Sequence, residues 1–160
     1  MEKALQRAKE LLRTVRHVPI ATVNIDGSPH NSPVFAAFDT RAAMIWASHP
    51  DTQHSRNIQR QQQVYLVLFD SMEKGGGLFM QCRAGEVPET ELDTALQQFN
   101  VARRRHLHEE VPRQYFTGSA PQRLYRAEPL KLWVNQSDKD EAGYIIRDKK
   151  YEISLEDLLA

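Results

Sequence analysis

Val18-Pro19-Ile20-Ala21-Thr22-Val23-Asn24-Ile25-Asp26-Gly27-Ser28-Pro29-His30-Asn31-Ser32-Pro33-Val34-Phe35-Ala36-Ala37-Phe38 opens a block that reaches Glu86, in which short apolar runs are separated by turn residues. Pro19 suits the first residues of a strand better than a helix interior, so Ile20 to Ile25 reads as a strand and Asp26-Gly27 as its turn. Asn31 to Phe38 returns, Asp39-Thr40-Arg41 turns again, and Ala43 to Ser48 forms a third strand containing Met44, Ile45 and Trp46. Three such strands joined by tight turns predict an antiparallel meander. Val64 to Phe69 is an uninterrupted apolar run, the pattern of a strand covered on both faces, and Leu78 to Glu86 follows the break Gly75-Gly76-Gly77.

Helical periodicity flanks the block. Ala4, Leu5, Ala8, Leu11, Leu12 and Val15 predict an amphipathic helix over about residues 2 to 16. Leu92, Ala95, Leu96, Phe99 and Ala102 mark a second helix running into Arg103-Arg104-Arg105, and Thr52 to Gln63 a short one around Ile58. Leu124 to Val134 is the last long strand. Gly143 to Ile146 and Tyr151 to Ile153 read as two short strands, and Ser154 to Leu159 as a terminal helical turn with a capping box from Ser154 and Asp157. Turns rather than helices connect the first strands, so the expected fold is mainly β: a β-barrel with peripheral helices, in one domain over residues 1–160.

Bulk composition narrows the partners. The 21 basic and 21 acidic residues balance, giving no net field to gather nucleic acid or an anionic membrane. No run approaches the roughly 18 apolar residues of a membrane span, and charged residues interrupt the N-terminal pattern, so a cytoplasmic protein is expected. Cys82 is the only cysteine, which excludes an internal disulfide and a cysteine-based zinc site; packing is its expected role. His106 and His108 are two apart and diverge on a helix, a poor metal pair. Gly75-Gly76-Gly77 lacks the lysine and Ser/Thr of a phosphate loop and reads as a flexible hairpin.

One polar stretch, Ser48-His49-Pro50-Asp51-Thr52-Gln53-His54-Ser55-Arg56-Asn57, interrupts the strands directly after Trp46. Hydroxyls and bases in such a break are suited to a phosphorylated aromatic ligand, although Trp46 alone reads as core and the polar run alone as a solvated helix start.

The order of several segments resembles the FMN-binding split-barrel proteins related to pyridoxamine 5′-phosphate oxidase. The resemblance runs through His17 to Val23, Asp26 to His30, Ser32-Pro33-Val34, Ile45 to Ser48, Thr52 to Ile58, Val64 to Leu68, Leu124-Tyr125-Arg126 and Trp133-Val134-Asn135. It implies a split β-barrel that forms a homodimer with one FMN at each of two sites in the subunit interface. It also implies that Trp46, Ala47 and Ser48 lie along the ring and ribityl chain and that Thr52, Gln53 and His54 meet the phosphate. Arg56 is a second phosphate candidate. Gln81 would complete the cofactor wall, and Trp133 would approach the partner subunit's flavin, with Asn135 on the same strand face. Arg103-Arg104-Arg105 reads as a solvated helix face within reach of an anionic ligand.

Two departures from the family pattern carry consequences. The family commonly has lysine where this chain has His54, and an imidazole supplies positive charge only when protonated, near about pH 6.5 for a free side chain. Oxidases of vitamin B6 phosphates end in an Arg-Leu-x-Pro-type segment, whereas this chain ends Ser154-Leu155-Glu156-Asp157-Leu158-Leu159-Ala160, so that activity is not expected. The expected function is FMN-dependent hydride transfer from NADH or NADPH to a small acceptor. The rival reading is a non-catalytic binder or sensor of flavin, deazaflavin or haem. A vacant barrel with a purely structural role is the third.

Overall fold

The computed structural model describes residues 1–72 and 75–160. Eight strands form one antiparallel sheet: β1 (His17–Val23), β2 (Pro29–Phe35), β3 (Ala37–Phe38), β4 (Met44–Ser48), β5 (Gln63–Leu68), β6 (Leu78–Glu86), β7 (Arg123–Lys139) and β8 (Ile145–Ile153). Among the described residues, four α-helices accompany them: α1 (Glu2–Thr14), α2 (Gln53–Arg60), α3 (Leu92–Arg105) and α4 (Leu155–Leu159).

Strand order is β2-β1-β5-β6-β7-β4-β3, with β8 added to β7. The two ends of that path are halves of one chain segment. β2 pairs with β1, and β3 pairs with β4, with only Ala36 between them. The predicted meander is therefore present in chain order, but its middle strand breaks at Ala36 and each half serves a different neighbour. Covalent continuity closes the sheet into a split barrel.

Inside lies a core built from alternating residues of every main strand, including Ile20, Trp46, Leu66, Met80, Tyr125 and Val134; α1 and α4 add Leu11 and Leu158. A second cluster sits outside the barrel wall, where Leu96 and Phe99 of α3 cover Ile45 and Leu124. β4 is thus the strand buried on both faces. β5, expected to be so, alternates: Val64, Leu66 and Leu68 point inward, while Tyr65 and Val67 face outward and are half-buried. Its apolar run reflects a second face that, among the described residues, no further layer covers.

Several boundaries differ from the sequence reading for physical reasons. β1 begins at His17 and includes Pro19, which lies opposite Pro33 of β2. β7 continues past Val134 to Lys139, and the two predicted C-terminal strands are one, β8. The added residues, such as Ser137 to Lys139 and Arg147 to Lys150, form an exposed ribbon held by backbone pairing, so they carry no apolar pattern. The capping box at Ser154 and Asp157 is present. Gly76 and Gly77 pass close to β7: a Cβ on Gly76 would lie 2.7 Å from the Asn135 carbonyl oxygen, and Gly77 N–H donates to Asn135 Oδ1. These glycines permit close backbone approach, a more specific role than a flexible hairpin. Cys82 is fully buried, and burial pushes its thiol up to about 12, which leaves it protonated and inert.

Candidate functional site

The polar break after β4 folds into the start of α2. Thr52 is the N-cap, its hydroxyl accepting from Ser55 N–H, as expected for a threonine at this position. The same hydroxyl lies 3.1 Å from Ser48 Oγ and 3.2 Å from His54 Nε2, and it donates to Ser55 Oγ at 2.8 Å. Ser48 Oγ lies 2.8 Å from His54 Nε2. Ser48, Thr52, His54 and Ser55 are therefore one connected cluster, and His54 is buried within it.

Electrostatics keep His54 neutral. Desolvation, reinforced by nearby His30, holds its imidazole below the ordinary histidine value. His30 is itself tied to Ser32 at 3.0 Å. A group placed here meets hydroxyls and a neutral imidazole first.

Beside it runs a second network. Gln53 Nε2 donates to Asn24 Oδ1 and Asn57 Oδ1, both at 3.0 Å, while Asn57 Nδ2 donates to Thr22 Oγ1 and Asn24 Oδ1 at 2.9 and 3.0 Å. Arg56 donates to the Asp51 carbonyl and, at 2.9 Å, to Gln53 Oε1. Gln53 thus fastens α2 to the end of β1, a use that its isolated position in the sequence did not signal. Asn24 and Asn57 were absent from the expected set; a pair of asparagines at a strand end and on a polar helix has no pattern that distinguishes it from solvated surface.

Trp46 presents no surface to a ligand from within one chain. It is 0% exposed, inside the barrel, stacked on Tyr125 with ring centroids 5.5 Å apart and planes at 23°. Its Nε1 has no hydrogen-bond partner among the described residues, and the Tyr125 hydroxyl approaches Ser55 without a hydrogen bond of normal geometry. Alternation explains the placement: Met44, Trp46 and Ser48 share the inward face of β4, and Ala47 faces the side covered by α3. The strand that carries Trp46 and Ser48 therefore offers only its end to the α2 cluster.

Gln81 and Trp133 lie elsewhere, on the outward face. Gln81 is opposite Tyr65 on β5 and Lys131 on β7. Trp133 stacks on Tyr65 at 6.2 Å and 29°. Lys150 Nζ lies 3.8 Å from the Phe79 ring centroid and 5.7 Å from that of Tyr65, capping this aromatic group from β8. The structure consequently separates the predicted site residues into a hydroxyl–imidazole cluster at α2, a buried aromatic pair, and an outward aromatic face. Among the described residues no cluster of histidine, cysteine and carboxylates has metal-binding geometry, and no helix is long and apolar enough to cross a membrane.

A phosphorylated cofactor can be tested against the α2 cluster. Hydroxyls of Ser48 and Thr52 and the first-turn amides of α2 suit phosphate oxygens. Among the described residues no lysine joins these hydrogen bonds; α2 carries Arg56 and Arg60, the latter bound to Asn57 Oδ1 at 2.6 Å, and His54 would have to acquire its proton. The residues fit a phosphate group on the condition that His54 protonates when it binds.

Comparison with known proteins gives the same fold. Residues 4–134 match the family model for pyridoxamine 5′-phosphate oxidase. No curated protein matches the chain significantly in sequence. Among solved structures, a haem binding protein from Mycobacterium smegmatis superposes with a TM-score of 0.69 at 15% identity over 98% of this chain, which spans 60% of that protein. A Clostridium acetobutylicum protein of the pyridoxinephosphate oxidase family, related to a general stress protein, gives 0.64 at 12% identity, with 96% of each chain covered. A FAD-binding protein from Mesorhizobium loti gives 0.61 at 17% identity, covering 81% of this chain and 91% of that one. With a split barrel of this strand order and a family match spanning β1 to β7, the chain belongs to the pyridoxamine 5′-phosphate oxidase family.

Proposed function

We propose that this chain is a homodimeric flavin-binding oxidoreductase, with FMN as its cofactor, hydride drawn from NADH or NADPH, and a small molecule as final acceptor. The observation that carries the reading is the Ser48–Thr52–His54 cluster at the first turn of α2, a set of hydroxyl, amide and imidazole donors suited to a phosphate. A bound flavin supplies the redox chemistry by taking up hydride and passing electrons on. This chain's residues hold and orient it. Thr52 and the α2 amides receive phosphate oxygens, Arg56 adds fixed positive charge at the edge, and His54 accepts a proton as the dianion arrives. The half-buried face of Tyr65, Phe79 and Trp133 supports a second copy of the chain, whose cover would exclude water from a flat ring at the interface.

Absorbance of the freshly purified protein, repeated after incubation with FMN, tests binding; no flavin bands in either case contradict it. Neutral, buried His54 favours one second reading, a non-catalytic holder of flavin, deazaflavin or haem. Stopped-flow mixing of the FMN-loaded protein with NADH and NADPH separates the two. Bleaching of the flavin band supports the oxidoreductase, and an unbleached band supports the holder.

A further inference from the structure

A cluster of positive groups forms where the C-terminal ends of α1 and α3 meet, outside the α2 site. Arg16 Nε donates to His106 Nδ1 at 3.2 Å, and Arg105 donates to the Arg13 carbonyl oxygen at 3.3 Å. The Phe35 ring sits among three histidines, edge to face with His17 at 6.1 Å, His106 at 5.9 Å and His108 at 5.5 Å. Residues distant in sequence thus converge on one small surface.

Backbone geometry produces this convergence. α3 ends with His108 N–H donating to the Arg103 carbonyl and Leu107 N–H to the Arg104 carbonyl, the paired bonds of a Schellman closure. That closure needs a left-handed residue, usually glycine, and here Leu107 adopts φ 61° while 93% exposed. A leucine in this region is strained relative to glycine. The turn so made brings His106 and His108 to the same phenyl ring.

Charge balance fails locally although the chain as a whole is neutral. Arg104, Arg113, Arg123 and Arg126 each have a carboxylate partner. Among the described residues, Arg13, Arg16 and Arg105 make no ion pair; of the acids near them in sequence, Glu10 pairs with Arg7, Glu110 is taken by Arg104, and Glu109 contributes its backbone carbonyl to Arg103. The two helix C-termini offset part of this charge, and Arg105 is used in that way. Arg16 is not, since it donates to a neutral imidazole. His106 is held below the ordinary imidazole range, first by burial and then by Arg16, Arg105, His108 and His17, so all these groups act on one place. A compact convergence of donors suits a small multivalent anion better than an extended polymer.

We propose that His106 and His108 beside Phe35, with Arg16 bound to His106 and Arg105 at the end of the same helix, bind a phosphate group carrying at least two negative charges, as found on a soluble phosphate ester or diphosphate, or on a phosphate-monoester lipid. Because His106 Nδ1 accepts from Arg16, its Nε2 carries the hydrogen and is a donor. The remaining N–H groups of both arginines add charge-assisted donors of the kind phosphate oxygens accept. The site is separate from the α2 cluster and stands whether or not a flavin binds there.

Calorimetric titration of inorganic diphosphate into the full chain, at ionic strength fixed with chloride, tests this. Saturable binding of one diphosphate per chain is expected, weakened about tenfold or more by Arg16→Gln with Arg105→Gln, and unchanged by Arg113→Gln. Cosedimentation with phosphatidylcholine vesicles containing phosphatidic acid forms the second arm. Vesicle binding that is lost in the same double variant, without a response to soluble diphosphate, assigns the phosphate to a lipid surface that Leu107 would enter. Absence of saturable binding in both arms, or equal binding by the double variant, overturns the proposal.

Discussion

Two stacked aromatic pairs lie on opposite sides of one sheet. Trp46 and Tyr125 stack inside the barrel with no exposed surface, whereas Tyr65 and Trp133 stack on the outer face, half-buried and capped by Lys150. Both pairs bridge strands, and both tryptophans follow an apolar residue in a β-run. The inward pair sits in a core that is complete within one chain, while the outward pair lies on a face that this chain leaves without a second layer. Burial by the chain's own elements therefore separates a stability role for Trp46 from a surface role for Trp133.

The largest effect expected from this contrast is on stability. Trp46→Ala should lose about 3–5 kcal/mol in urea denaturation, from a cavity at the centre of the barrel. Trp133→Ala should cost the fold less than about 1.5 kcal/mol and instead shift the sedimentation of the proposed dimer toward monomer. Equal destabilisation by the two substitutions would break the distinction. Next in size, Gly76→Ala pushes a methyl against the Asn135 carbonyl and should destabilise by about 1–3 kcal/mol, read in the same denaturation experiment. Smaller still, Leu107→Gly relieves the left-handed strain at the end of α3 and should stabilise by about 0.5–1 kcal/mol, seen as a raised midpoint.

pH sharpens the comparison between buried and exposed groups. The His54 imidazole is held below its unfolded value, so the unfolded chain binds the proton more readily. The contribution of neutral His54 to stability is present above the ordinary histidine value, about 6.5, and is lost as pH falls below it. His106 is depressed in the same direction and adds to the loss. Denaturation midpoints should therefore fall on acidification from about pH 7 to about pH 5.5, and His54→Gln should flatten that fall.

Much of the barrel was legible because its strands alternate toward a single core and its turns carry Asp-Gly or aspartate signals. Asp39 Oδ1, for instance, accepts from the Arg41 and Ala43 amides in the second turn. The break at Ala36 was not legible, since an alanine between apolar residues looks the same in a continuous strand. The β7–β8 ribbon escaped because paired backbone with charged side chains has no hydrophobic period. At the candidate site, Thr52 as a helix start followed from residue type, whereas the resemblance set Ser48 along the ribityl chain and His54 at the phosphate, and their direct contact at 2.8 Å was not foreseen. The role of Gln53 did not follow either, because an amide contacting Asn24 depends on tertiary placement 29 residues away. Nor did the basic surface around Phe35, whose arginines and histidines come from two helix ends.

Titration of FMN by fluorescence quenching, at about pH 8 and about pH 6.5, tests the central claim most directly. If the phosphate is received at α2 with uptake of a proton by His54, quenching saturates at both values, binding is tighter at the lower pH, and His54→Lys binds more tightly with little pH dependence. Saturable binding that is independent of pH and unaltered by His54→Lys, or no binding at either pH, would contradict it.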